Sequence, residues 1–177
     1  AIHVFRQPLV KVFPAFHLST GKPYATITIR QDGITWRFAD AVMQQGMARA
    51  EASQVAALKA LGARAPAQDR LRTLVRHHFE VLLGEGSDFI PVMLFEWRSL
   101  DATQQQDVRA VKDAYEGVWM PVLRALHRAG RLKARPEVAR LFIFGALNWS
   151  VQWFSDRGAL SLDDLTAQAL LLFTEQA

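Results

Sequence analysis

From Ala39 onward the apolar residues recur at steps of three and four, the spacing that gathers them on one face of an α-helix. Ala39 to Leu61 is rich in Ala, Met, Gln and Leu, all strong helix formers, and Gly62 stops it. Pro66 opens a second helix, in which Leu71, Leu74, Val75, His78, Phe79 and Leu82 form one apolar face until Gly84-Glu85-Gly86. Ser87 and Asp88 carry the side-chain oxygens that accept from free amides at the start of a third helix, Phe89 to Ser99. Asp101 starts a fourth that runs to His127 or Arg128, with Gly130 behind it as terminator. Pro121 lies inside that fourth helix, removes one backbone hydrogen bond, and predicts a bend or break near Gly117. Pro136 begins a fifth helix that lasts to about Phe154. Ser161-Leu-Asp-Asp164 has the form of a capping box and launches a sixth through Leu165, Leu170, Leu171 and Phe173.

The first 38 residues differ in kind. Val10, Val12 and Phe13 lie close to Pro8 and Pro14, which limits any long helix there. Tyr24 to Arg30 alternates Thr and Ile, and Gln31-Asp32-Gly33 has turn composition before Ile34 to Phe38, which is locally a β-hairpin pattern. A hairpin on an otherwise helical chain is marginal by itself and has to pack on something. The pattern therefore predicts an all-α body over residues 41–177 and a short head over residues 1–40.

With 177 residues, the chain is one domain or a small module joined to a larger one. Half the residues are hydrophobic, which excludes a wholly disordered chain. The absence of cysteine removes disulfides, thiolate zinc sites, iron–sulfur clusters and cysteine nucleophiles. The longest apolar stretch, Val138 to Phe154, is interrupted by Arg140, Asn148, Ser150 and Gln152 and falls short of the roughly 20 residues that cross a bilayer. No secretory pattern opens the chain, so the expectation is a cytoplasmic protein with no membrane partner. Residues 1–50 carry six basic side chains (Arg6, Lys11, Lys22, Arg30, Arg37, Arg49) against Asp32 and Asp40, whereas the remainder holds fifteen of each sign. The net charge of +4 thus sits in the head, which suits a module that meets phosphates; a solvated basic surface is the alternative.

Catalytic and metal-binding patterns are missing. His77 and His78 are adjacent, so on a helix they point about 100° apart and do not chelate one metal together. His78 falls on the apolar face and reads as a satisfied core or pocket histidine. There is no His-Glu-x-x-His, Gly-x-Ser-x-Gly or phosphate-cradling loop, and no close pair of acids suited to acid–base work. Neither an enzyme nor a cofactor is expected.

What the chain has in excess is apolar and aromatic surface. Arg140 to Phe154 is apolar nearly all round, so the helix is either central in a monomer or shared with a partner chain. Gly145 and Ala146 lie midway, where small side chains allow another helix to come close, and the last helix, with Leu165, Ala169, Leu172 and Phe173 on one side, can complete such an interface. A second cluster, Phe89, Met93, Phe95, Trp97, Tyr115, Trp119 and Met120, is either plain core or the wall of a cavity. Pro91 and Pro121 distort their helices, and Met suits irregular apolar space. Asn148 and Gln152 add amides that need partners when buried, a ligand among the options.

The order of these features resembles the tetracycline-repressor (TetR/AcrR) family of bacterial transcription regulators. The resemblance lies in Phe95-Glu-Trp-Arg-Ser-Leu100, Tyr115-Glu-Gly-Val-Trp119, Gly145-Ala-Leu-Asn-Trp149 with Trp153, and Leu160-Ser-Leu-Asp-Asp-Leu165. It covers residues 41–177 and looks most like regulators of fatty-acid and sterol breakdown. Gly21-Lys-Pro-Tyr24 with Thr26, Thr28, Ile29 and Arg30 is similar to the start of the family's helix-turn-helix, Gly33-Ile-Thr35 to its turn, and Trp36-Arg-Phe38 to the end of its recognition helix. Only Gln31 and Asp32 separate Arg30 from Gly33, and nothing separates Thr35 from Trp36, so both helices of that motif are shortened by several residues. A recognition helix needs about two turns to lie in a major groove.

The resemblance implies an all-α, TetR-like dimeric bundle whose head is helix-turn-helix-like or degenerate. It implies a ligand-responsive repressor that binds operator DNA as a homodimer and is released by a small apolar effector, fatty acyl or sterol-derived, perhaps as its coenzyme A thioester. The alternative is a dimeric helical small-molecule-binding protein without DNA binding. DNA contact is expected at Thr28, Arg30, Thr35, Trp36 and Arg37, and pairing at Leu141, Phe144, Leu147, Trp149, Leu165 and Leu172. An elongated cavity is expected to involve Phe79, Phe89, Met93, Trp97, Tyr115, Trp119 and Asn148, because bent helices and rigid rings fill a centre poorly. Arg72, Arg76 and Arg98 are the candidates for an effector's phosphates.

Overall fold

The computed structural model describes residues 11–16, 23–30, 33–34, 37–84, 87, 89–155 and 158–175. Three strands come first: β1 (Lys11–Phe16), β2 (Pro23–Arg30) and β3 (Gly33–Ile34). They form an antiparallel sheet in the order β1-β2-β3. Lys11 faces Ile29 and Phe13 faces Ile27, with an irregularity at Ala15/Phe16 before Phe16 meets Pro23. Ile29 faces Ile34 and Arg30 faces Gly33 across the turn that the sequence predicts. The Thr/Ile alternation therefore makes a strand, since β-branched residues at period two fit a pleated surface better than a helix. The expectation that Thr28 and Arg30 open a helix-turn-helix is corrected here, because both lie on β2.

Seven α-helices follow: α1 (Arg37–Leu61), α2 (Ala67–Leu83), α3 (Phe89–Glu96), α4 (Ala102–Gly117), α5 (Met120–Arg128), α6 (Pro136–Trp149) and α7 (Leu162–Phe173). Single 3₁₀ turns extend α3 over Trp97–Ser99 and α6 over Ser150–Gln152. The predicted fourth helix is broken into α4 and α5 after Gly117, with Pro121 in the first turn of α5. Proline lacks the N–H that would bond back to Gly117, so the backbone restarts through Trp119 N–H to Glu116 O and Leu123 N–H to Trp119 O. Gly62 and Gly130 end α1 and α5 at φ of 95° and 70°, a left-handed turn that glycine adopts without a Cβ clash. Ser161 caps α7 in a full capping box: its hydroxyl accepts from Asp164 N–H, and the Asp164 carboxylate accepts from Ser161 N–H.

The helices divide between two compact units, one over residues 1–46 and 88–110, the other over 47–87 and 111–177. In the first, Met43, Val92, Leu100 and Val108 are buried together, and Val42, Met93 and Trp97 pack against them. Gly46 lies under the ring of Phe89, where an added Cβ would come within 2.2 Å of it. Arg109 stands 5.4 Å over the Trp97 ring, and Gln105 Nε2 donates to the carbonyls of Trp97 and Leu100.

In the second unit α2 is the central element, in contact with α5, α6 and α7. Its predicted face, Leu71, Leu74, Val75, His78, Phe79 and Leu82, is buried throughout. Val122, Leu123 and Leu126 of α5, Ile143, Phe144 and Leu147 of α6, and Leu165, Ala169 and Leu170 of α7 are buried in the same unit. Glu116, nearly sealed from solvent, holds α4 to α6 through Arg140 and pairs with Lys112 at 2.7 Å.

Candidate functional site

The deepest polar group in the second unit is His78, and three aromatic rings enclose it. Phe144 lies 5.0 Å from its ring centre and Trp119 5.9 Å, both edge-on, while Tyr115 is tilted at 5.7 Å. Trp119 and Phe144 are themselves 4.7 Å apart. Both imidazole nitrogens are used: Nδ1 is 2.8 Å from Tyr115 Oη and Nε2 is 3.0 Å from Asn148 Oδ1. An amide oxygen only accepts, so Nε2 carries the proton and donates to Asn148, leaving Nδ1 to accept from the Tyr115 hydroxyl. Burial lowers the His78 pKa to about 4, partly offset by the Asn148 bond. Burial likewise pushes the Tyr115 phenol up, so both groups are neutral at physiological pH.

A second amide completes the cluster. Gln54 of α1, fully buried, donates from Nε2 to the Tyr115 carbonyl at 2.7 Å and accepts from Trp119 Nε1 at 3.1 Å. The sequence reading missed it, although Met43, Met47, Ala50, Gln54 and Leu58 recur at helical steps and all are buried. A polar residue on such a stripe needs an internal partner, and that was the available signal. The ensemble is uncharged and internally bonded, so it has no proton to give or take near neutrality. What it offers is an apolar wall with one amide, Asn148, at an exposed edge.

The expected cavity residues fall in both units. Phe79, Tyr115, Trp119 and Asn148 belong to the second, where Tyr115, Trp119 and Asn148 are drawn together by His78. Phe89, Met93 and Trp97 belong to the first and pack on Gly46 or on the Met43 core. The idea that the rings leave their centre unfilled is corrected for Trp119 and Tyr115: both are fully buried, and the tilted contacts above close the space between them. Arg76 is engaged with Asp163 at 2.6 Å and Glu80 at 2.7 Å, whereas Arg72 and Arg98 are exposed.

The outer side of α6 is the unexpected surface. Leu141, Phe142 and Trp149 are 62 %, 73 % and 65 % exposed, as is Leu172 of α7 at 81 %. Of the residues expected to lose exposure on pairing, Leu141, Trp149 and Leu172 therefore have surface to lose. Phe144, Leu147 and Leu165 do not, because they fill the core beneath, which corrects that part of the expectation. A cleft of about 380 Å³ runs beside α6 and α7, walled by Phe142, Ile143, Leu171, Leu172 and Phe173 and rimmed by Arg131, Lys133 and Glu175. In the head, Thr28 and Arg30 sit on β2 and Arg37 opens α1, while Thr35 and Trp36 lie outside the described residues.

One arrangement resembles a hydrolytic triad: Ser53 Oγ is 2.9 Å from His77 Nε2, and Glu80 is 3.7 Å from His77 Nδ1. Ser53 lies inside α1, where backbone amides are committed to the helix and none is free to hold an oxyanion. The same His77 nitrogen also meets the Ala50 carbonyl at 3.2 Å. Among the described residues no group of His, Asp and Glu is placed to hold a metal, and no helix is long and apolar enough to cross a membrane.

Comparison with known proteins agrees with this architecture. The family model for the tetracyclin repressor-like C-terminal domain matches residues 64–177. The crystal structure of the superantigen PfiT is 31% identical with a TM-score of 0.69, covering 78% of this chain and 72% of that one. AibR in complex with isovaleryl coenzyme A and operator DNA is 21% identical at a TM-score of 0.64, with 76% and 72% covered. FadR from Bacillus subtilis in complex with stearoyl-CoA is 20% identical at 0.60, with 76% and 72% covered. The last two likenesses are of fold. No curated protein sequence matches the chain.

Proposed function

Since the chain belongs to the tetracycline-repressor-like family, matched over residues 64–177, we propose that it is a ligand-responsive transcriptional regulator acting as a repressor. Residues 41–177 pair with a second copy and take a small apolar effector, and the basic head over 1–40 meets operator DNA. The observation that carries this reading is the family match over a helical unit whose buried cluster combines apolar rings with one amide edge, Asn148. Fatty acyl or sterol-derived effectors, as coenzyme A thioesters, are the favoured class. AibR and FadR, which share the fold, are seen with isovaleryl coenzyme A and stearoyl-CoA. Exposed Arg72 and Arg98 are free of the ion pairs that engage Arg76, and would meet the phosphates.

A second reading, a dimeric helical ligand-binding protein without DNA binding, is favoured by the strands at residues 11–34, since a strand at Thr28 and Arg30 is not a recognition helix. Binding of the chain to its own promoter fragment at several salt concentrations separates the two. The repressor reading expects affinity that falls with salt, a shallower slope in Arg30→Ala/Arg37→Ala, and release by an acyl-CoA. Saturable quenching of tryptophan fluorescence by an acyl-CoA without salt-dependent DNA binding supports the second reading. No response to either probe overturns both.

A further inference from the structure

The run from Leu141 to Phe154 contains no charged side chain. Leu141, Phe142, Gly145 and Trp149 of α6, with Trp153 just beyond it, recur at steps of three and four and are all exposed. They form one stripe on the side opposite the buried Ala139, Ile143 and Leu147. Aromatic, uncharged and continuous, such a surface has the composition of the centre of a protein interface.

The stripe is also nearly symmetric about its middle. Gly145, with small Ala146 beside it, is flanked one turn earlier by Leu141 and Phe142 and one turn later by Trp149. Nothing in the chain lies within 4 Å of a Cβ added at Gly145. The cleft beside Phe142, Leu171 and Leu172 begins on the earlier side. The surface thus carries both a knob, Trp149, and a hole, the two halves that an isologous contact must find on one patch. A small ligand in the cleft would leave Leu141, Trp149 and Trp153 in water, whereas a second copy covers the cleft and the stripe together.

Resting on the reading that the chain pairs with a second copy, we propose that the twofold axis passes through Gly145, that the two α6 helices cross there antiparallel, and that Trp149 of each copy fills the cleft of the other beside Phe142. A twofold at Gly145 carries Trp149 as far past the axis as Leu141 lies before it. The absence of a side chain at the crossing lets the helix axes approach to the short end of the usual range, about 8 Å.

Because the chain has no cysteine, Gly145→Cys introduces its single thiol, and the open space at that Cβ leaves the fold undisturbed. At a twofold crossing the two Cα atoms fall within about 6 Å, inside disulfide reach. Mild oxidation of the full chain should convert most of Gly145→Cys to a covalent dimer, whereas Ala114→Cys, exposed on α4, should stay largely monomeric on a denaturing gel. Trp149→Ala should weaken pairing about 30-fold or more in sedimentation, with an unchanged far-ultraviolet spectrum. A dimer by sedimentation whose Gly145→Cys form does not cross-link beyond the Ala114→Cys level overturns the axis while leaving the homodimer intact. A monomer at all concentrations overturns both.

Discussion

His78 on α2 and Asn148 on α6 share one hydrogen bond, Nε2–H to Oδ1 at 3.0 Å, and this bond joins a fully buried imidazole to an amide at the exposed edge of the same helix that carries Trp149. The other imidazole nitrogen is held by Tyr115, so the ring has a single tautomer and a single orientation. Any ligand group that takes Asn148 as a donor must leave this bond in place or release it, which ties the amide edge to the core.

Acid should destabilise the chain through His78. Its folded pKa of about 4 lies below the ordinary 6.5, so the unfolded chain binds the extra proton first. The stability from keeping His78 neutral is fully present above pH 6.5 and is lost as pH falls towards 4. The loss amounts to about 3 kcal/mol. Urea unfolding of the chain and of His78→Gln at pH 7 and pH 4.5 checks this, with a smaller difference between the two pH values in the variant.

Gln54→Leu should cost about 2 to 4 kcal/mol, because it strands both the indole N–H of Trp119 and the carbonyl of Tyr115 in a dry core. Gln54→Glu, which accepts from Trp119 but has no donor for Tyr115 while ionised, should be no better. Denaturant midpoints with unchanged slopes would register the loss; a Leu variant as stable as the parent would show that the amide is not needed.

Gly46→Ala should destabilise the first unit by about 1 to 3 kcal/mol, since its methyl group would fall inside the Phe89 ring. Phe89→Leu alone should be costly as well, and the double variant should be less unstable than the sum of the two. A double-mutant cycle measures that coupling, and an additive result would place the strain elsewhere.

The sequence by itself determined the order and ends of the helices, because these depend on local chemistry. The proline and glycine punctuation at Gly62, Pro66, Gly130 and Pro136, the Ser161 capping box and the face of α2 follow from residues a turn or two apart. The break at Pro121 belongs here too, since a missing N–H acts on its own helix. The Thr/Ile alternation carried the β2–β3 hairpin, although likeness to a helix-turn-helix argued for helix at the same residues. Only the tertiary structure decided that Gln54, Tyr115 and Trp119 serve one another, since 61 residues separate Gln54 from Tyr115 and no periodicity reports such a bond. It also sorted α6, whose composition is apolar almost all round: Phe144 and Leu147 go to the core, Phe142 and Trp149 to water. Hydrophobicity alone assigns no direction to a helix that is apolar on every side, and the direction comes from the neighbours that α2, α5 and α7 provide.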